Sequence, residues 1–227
     1  MFIGFFSVAN TITVCGLISA VISCFLAANG NYKLAIYMMF IACLCDTFDG
    51  RIARSTANRT DAQKYYGVQL DSLCDVVSFG VTPCFIAFSF GFDGIIDVII
   101  YSIFIACGAT RLAYFNTLAN MNPNKPNKGF RGVPIPMSTF VITILFVLAA
   151  FIPASICVWF FRIGLLALAI AFVLNIKIKK PNLKTAVTLI GIEVFLLLIL
   201  LVAGDLKAPE QNEISDTVES SSVEVSQ

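Results

Sequence analysis

The chain has 227 residues, 58% hydrophobic and 13% charged, with a formal net charge of +1. That excludes a soluble globular domain, which needs more polar surface, and fits a polytopic membrane protein. The complete absence of His excludes His-based acid–base chemistry and His-ligated metals. Any metal must then be held by oxygen, which favours Mg²⁺, Mn²⁺ or Ca²⁺.

Met1–Ser7 carries three Phe in seven residues and reads as a short interfacial helix. It lacks a basic n-region and a following small-residue cleavage site, so no signal peptide is expected. The apolar runs then predict spans at 11–29, 32–52, 68–91, 95–118, 134–152, 155–176 and 184–203, because a crossing needs about 20 apolar residues. The expected fold is an all-α transmembrane bundle of six to seven spans, occupying residues 1–203. The second and third runs lead straight into acidic clusters, so those helices should extend past the hydrocarbon edge. Residues 204–227 carry six acidic residues against one Lys and no aromatic, which reads as a disordered acidic tail. Seven spans place that tail outside the cell, and six leave it in the cytosol.

Alternating the spans puts Arg51, Arg54, Arg59, Lys64, Arg111, Lys125, Lys128, Arg131, Lys177, Lys179, Lys180 and Lys184 on one side, twelve of the 15 basic residues. By the positive-inside rule that side is cytosolic. The eight cysteines are scattered through apolar segments, and Cys43 and Cys45 lie two apart on different helical faces. They read as small core residues and not as a metal or redox motif.

Residues 1–203 hold eight acidic residues, and four of them, Asp46, Asp49, Asp71 and Asp75, stand at the ends of the second and third spans on the cytosolic side. At about 100° per residue, Asp46, Asp49, Gly50, Ala53 and Arg54 share one helical face. Gly67, Asp71, Asp75, Ser78 and Thr82 form a second narrow stripe. A short linker can bring the stripes together. Four like charges in one partly buried cluster must protonate, pair with bases such as Arg51, Arg54 and Arg59, or bind divalent cations. An all-oxygen site with two Mg²⁺ is the simplest arrangement that uses all four, and such a pair is a clamp for phosphoryl chemistry. Against this stand plainer readings, a solvated helix end for Asp46 and Asp49 and ordinary small residues at helix crossings for Gly50, Ala53 and Gly67.

The pattern Asp46-x2-Asp49-Gly50-x2-Ala53-Arg54, followed by Gly67-x3-Asp71-x3-Asp75, resembles the signature of the CDP-alcohol phosphatidyltransferases. The connection Ser55–Tyr66 is about one helical turn longer than is usual there. Leu70–Pro83, Arg111–Asn116 and Gly129–Pro136 look like the integral-membrane phosphatidylserine synthase branch. The resemblance implies transfer of a phosphatidyl group from CDP-diacylglycerol to L-serine, with release of CMP. It implies that Asp46, Asp49, Asp71 and Asp75 bind two divalent ions, Mg²⁺ or Mn²⁺ with Ca²⁺ as a further option, and that Asp75 is also the general base. Gly50, Ala53, Arg54 and Gly67 would meet the nucleotide. Ser78, Arg111, Asn116 and Arg131, with Lys128 beside them, are candidates for the acceptor pocket. For Lys125 and Lys128, topology or attraction to the lipid surface is the stronger reading. Membrane lipids and a second copy of the chain are the further partners implied, and no nucleic acid is expected.

Two alternatives stay open. A sister transferase using glycerol phosphate or inositol phosphate would share the aspartates. A divalent cation transporter would also place carboxylates within the membrane, although the other spans offer little beyond Glu193 to continue an ion path.

Overall fold

The computed structural model of the protein describes residues 4–56, 59–121, 130–175, 177–178, 183–203 and 206. Apart from Ala203 and Leu206, the predicted acidic tail and its approach lie outside the described residues, as do Lys125 and Lys128. Each predicted apolar run falls on helix: α1 (Val8–Ala28), α2 (Tyr32–Ser55), α3 (Asp61–Asp75) continuing through a π-helical turn (Val76–Val81) into α4 (Thr82–Ser89), α5 (Ile95–Met121), α6 (Met137–Ala149), α7 (Ala154–Val173) and α8 (Leu183–Val202). Val8–Ala28, Asp61–Ser89, Ile95–Leu118 and Ala154–Val173 are long and apolar enough to cross a membrane, and Met137–Ala149 and Val187–Val202 are shorter apolar helices. The chain is therefore an integral membrane protein of the helical type. Its one sheet among the described residues is a minimal antiparallel pair, β1 (Phe130–Arg131) with β2 (Lys177–Ile178).

Helix α1 shows why this composition folds in lipid. Its buried face is a stripe of small residues, Ala9, Asn10, Thr13, Gly16, Ser19, Ala20, Ser23 and Ala27. Val14, Ile18, Ile22 and Phe25 point outward. Lipid solvates large apolar side chains as well as a protein core does, so small residues are what let two backbones approach. Helix α2 packs along that stripe: Ser19 Oγ donates to Met38 O at 2.7 Å, and Ser23 Oγ to Ala35 O at 2.6 Å. A Cβ on Gly16 would stand 3.0 Å from Cys45 Cβ. This tight hairpin fixes the rotation of α2 and thereby aims its aspartates.

The other half of the bundle centres on aromatic residues. Phe90 meets Tyr32, Phe92 and Phe146, and Phe161 meets Phe92 and Phe146, with ring centroids 4.7–5.5 Å apart. The β1 turn is locked to α7, where Val133 N donates to Ala171 O and Gly132 adopts φ 71°. A Cβ at Gly132 would fall 2.7 Å from Phe172 O, so only glycine allows this close approach.

Two expectations are corrected. Residues 4–7 are not helical. Gly4 has φ 125°, and extended Ser7 is the N-cap of α1, its Oγ accepting from Asn10 N. Local capping chemistry outweighs the run of Phe. Thr82 leaves the polar stripe, because the intervening π-turn adds a residue and breaks the 100° phase. Its hydroxyl donates to Val77 O at 3.0 Å and lies 3.6 Å from Cys24 Sγ on α1. The cysteines fit the core reading: all eight are free, and Cys74, Cys84 and Cys157 are buried.

Candidate active site

Helix α3 starts on a capping box. Thr60 Oγ1 accepts from Gln63 N, and Gln63 Oε1 accepts from Thr60 N. A start anchored there gives α3 a defined rotation. Its acidic stripe then faces that of α2.

Asp46, Asp49 and Asp71 bring carboxylate oxygens within 4.8 Å of one another. Asp75 adjoins them, its carboxyl within hydrogen-bonding reach of that of Asp46. Asp49 and Asp75 are buried, while Asp46 and Asp71 are half-buried. Among the described residues no ion pair reaches any of the four, since the two ion pairs present are Lys64–Asp61 and Arg162–Asp97. Carboxylates this close repel unless a proton or a cation lies between them. Three converging oxygen donors with a fourth behind them, and no paired base, suit a hard divalent cation. The residues thus fit a metal. Thr13 on α1 completes the shell from outside the motif, its hydroxyl donating to Asp49 Oδ2.

Above the carboxylates opens a cleft of about 320 Å³, lined by Asn10, Asp49, Gly50, Ala53, Arg54, Arg59, Lys64, Gly67 and Asp71 among others. All four residues predicted to meet a nucleotide are on its wall. The glycines have a further function there. A Cβ on Gly50 would stand 3.2 Å from Arg54 Nη1, and one on Gly67 2.8 Å from Arg59 Nη2. The small positions therefore make room for two guanidinium groups at the rim. Arg59 is held in place, donating to Ala53 O at 3.3 Å and to Gln63 O at 3.2 Å. An acidic floor with a basic rim matches a metal–pyrophosphate pair.

Of the acceptor candidates, Ser78 is buried in the π-turn and lines a small cavity beside all four aspartates. Arg111 is buried and close enough to Asp75 to interact with it electrostatically. It donates to Gly132 O at 3.5 Å and stacks 4.7 Å from the centre of the Phe115 ring, while its Nε has no hydrogen-bond partner among the described residues. Asn116 Nδ2 donates to Ser72 Oγ at 2.9 Å, tying α5 to α3 one residue from Asp71. Arg131 is described only as backbone in β1, and its side chain lies outside the described residues. Thr13, Asn10, Arg59 and Lys64 also line the site and were not among the sequence candidates. Thr13 and Asn10 were hidden because α1 carries no motif, and they are two of four polar residues on its small-residue face, with Ser19 and Ser23.

The fold and site define a polytopic helical membrane protein with an acidic cluster that could hold a metal ion beside a basic-rimmed cleft. Residues 6–177 match the family model described as CDP-alcohol phosphatidyltransferase, and the chain belongs to that family. It is 37% identical over 131 residues to the CDP-diacylglycerol–serine O-phosphatidyltransferase of Saccharomyces cerevisiae, covering 54% of this chain and 46% of that protein. It is 32% identical to the archaetidylserine synthase of Methanothermobacter thermautotrophicus, covering 61% and 57%. It is 36% identical to the CDP-diacylglycerol–serine O-phosphatidyltransferase of Methanocaldococcus jannaschii, covering 60% and 62%. The chain thus spans about half the length of the curated relatives it matches.

Proposed function

We propose that this protein transfers the phosphatidyl group of CDP-diacylglycerol to the hydroxyl of L-serine, forming phosphatidylserine and releasing CMP. The observation that carries the reading is the convergence of Asp46, Asp49 and Asp71, with Asp75 lining the same small cavity, beside a basic-rimmed cleft in a chain whose relatives bear serine-transferase names. Divalent ions, two per site and Mg²⁺ or Mn²⁺ by preference, would neutralise charge on the pyrophosphate and on the departing CMP.

The chain's own residues then have separable tasks. Arg54, Arg59 and Lys64 at the rim hold phosphate oxygens of the nucleotide. Asp75, buried beside Asp46, takes the proton from the serine hydroxyl as the serine oxygen attacks the lipid-side phosphorus and the bond to CMP breaks. Thr13 keeps Asp49 in a fixed orientation. Arg111 meets the serine carboxylate, because its Nε, without a hydrogen-bond partner among the described residues, and its position near Asp75 supply a cation beside the attacking group. Ser78, Asn116 and Arg131 complete the acceptor pocket, with Asn116 acting through Ser72. The basic-residue asymmetry supports a site at the cytosolic face of the cell membrane, where serine and CMP are soluble reactants. A homodimer is part of the same reading.

The test is CMP release by purified protein supplied with CDP-diacylglycerol, Mg²⁺ or Mn²⁺, and a panel of serine, glycerol phosphate and inositol phosphate. Serine-dependent release that a chelator abolishes is the expected result. Release without preference for serine overturns the acceptor assignment. Cation flux in vesicles without CMP release would instead establish the transporter alternative. Asp75→Asn should abolish transfer while largely sparing binding of the nucleotide-lipid, and equal loss of both would remove its separate role as base.

A further inference from the structure

Glu193 lies on α8, in an otherwise apolar run, and is 5% exposed. An ionisable group at such a position is costly and needs a reason. Thr143 Oγ1 on α6 donates to its Oε1 at 2.6 Å, but Oε2 is buried with no hydrogen-bond partner among the described residues. Neither described ion pair involves it. One turn nearer the start of α6, the Ser138 hydroxyl is also buried without a hydrogen-bond partner among the described residues. A structural pin between α6 and α8 would need only the Thr143 contact, and would not leave a second oxygen and the Ser138 hydroxyl unmatched.

These groups adjoin the aspartate site. The thiol of Cys43 on α2 stands beside Thr139 and lies within electrostatic range of Glu193, Asp46 and Asp75. Cys43 precedes Asp46 by three residues, so both occupy one face of α2. A polar seam therefore leads from Asp75 and Asp46 past Cys43 and Thr139 to Thr143 and Glu193. Its chemistry is acceptor-rich among the described residues: a buried carboxylate oxygen with no hydrogen-bond partner there, with hydroxyls that can turn their lone pairs inward. Arg111, on α5, offers the opposite charge beside Asp75.

We infer that Glu193, with the hydroxyls of Thr139 and Thr143, forms the subsite that recognises the ammonium group of the acceptor. It thereby selects an amino alcohol over alcohols that lack the amine. This rests on the serine reading and deepens it: glycerol phosphate and inositol phosphate carry no ammonium and would leave the carboxylate unmatched, a strong basis for rejection.

The experiment compares L-serine with 3-hydroxypropanoate, which is serine without its ammonium, by CMP release from the full-length protein. Wild type should prefer serine. Glu193→Gln should raise KM for serine about tenfold or more, leave KM for CDP-diacylglycerol unchanged, and reduce the serine-to-hydroxypropanoate ratio by a similar factor. A variant that loses rate equally on both acceptors, or on neither, overturns the assignment. Should the variant fail to fold, carbodiimide labelling of wild type supplies the answer. Serine, and not 3-hydroxypropanoate, should protect Glu193 from modification as read by peptide mass, and absence of protection overturns the assignment. Wild type that uses serine while Glu193→Gln keeps the ratio overturns this inference alone. Wild type that releases no CMP with serine overturns the serine reading together with it.

Discussion

The hydroxyl of Thr13 donates to Asp49 Oδ2 across the α1–α2 interface, so a helix without any motif residue contributes to the acidic site. Thr13 Oγ1 also lies 3.1 Å from Ala9 O within α1. Its single proton favours the carboxylate, whose charge makes it the stronger acceptor. The contact exists because the small-residue stripe of α1 lets α2 approach closely. Packing and site geometry are here one feature.

Thr13→Val keeps the shape and removes the donor. Groups that orient metal-binding carboxylates typically contribute 10–100-fold in metal affinity or activity. The divalent-ion concentration giving half-maximal CMP release should rise by about tenfold or more, with little change in thermal midpoint in detergent. Thr13→Ser should restore most of the loss. An unchanged metal titration for Thr13→Val would show that Asp49 is oriented without it.

Two glycines should answer alanine differently. At Gly67 the added Cβ meets the far end of Arg59, at 2.8 Å from Nη2, and a flexible side chain can move. Gly67→Ala should leave the protein folded but displace Arg59 into the cleft, raising KM for CDP-diacylglycerol. At Gly132 the Cβ meets backbone, Phe172 O at 2.7 Å, and φ is 71°. Gly132→Ala should lower stability by about 1–3 kcal/mol, read as a fall in thermal midpoint. Equal thermal effects from the two substitutions would contradict this distinction.

The legible part of the site was the part with helical phase. Asp46 and Asp49 on one helix, and Asp71 and Asp75 on the next, recur at spacings that put them on single faces, and the structure brings those faces together. Phase ceased to be a guide at Thr82, because a π-turn leaves no mark in hydropathy. Thr13 and Asn10 were not legible, since their relevance depends on how closely α1 packs on α2. Arg59 and Lys64 were legible as charges on the right side but not as a rim. Glu193 stood out as an acid in an apolar run, yet its hydroxyl partners on α6 belong to a segment about 50 residues earlier. The all-helical bundle itself followed from composition, because lipid permits few other ways to satisfy the backbone.

The last prediction concerns the far end of α5, where Arg162 of α7 grips Asp97. Nε and Nη2 donate to the two carboxylate oxygens at 2.7 and 2.8 Å. Both side chains are buried, and Trp159 places its ring 5.2 Å from the guanidinium carbon. Asp97 precedes Arg111 by fourteen residues, about 21 Å along the helix, so the pair is remote from the proposed chemistry. Removing one partner leaves an uncompensated buried charge, whereas replacing both with apolar groups removes the charge altogether. Arg162→Ala should therefore destabilise the protein by about 3–5 kcal/mol. Asp97→Leu combined with Arg162→Met should recover most of that loss, and surviving protein should keep the wild-type KM for serine. Thermal unfolding in detergent, paired with CMP release from the folded fraction, separates the possibilities. A double variant as unstable as the single one would show that the directional grip between α5 and α7 stabilises the bundle by itself, beyond neutralising a buried charge.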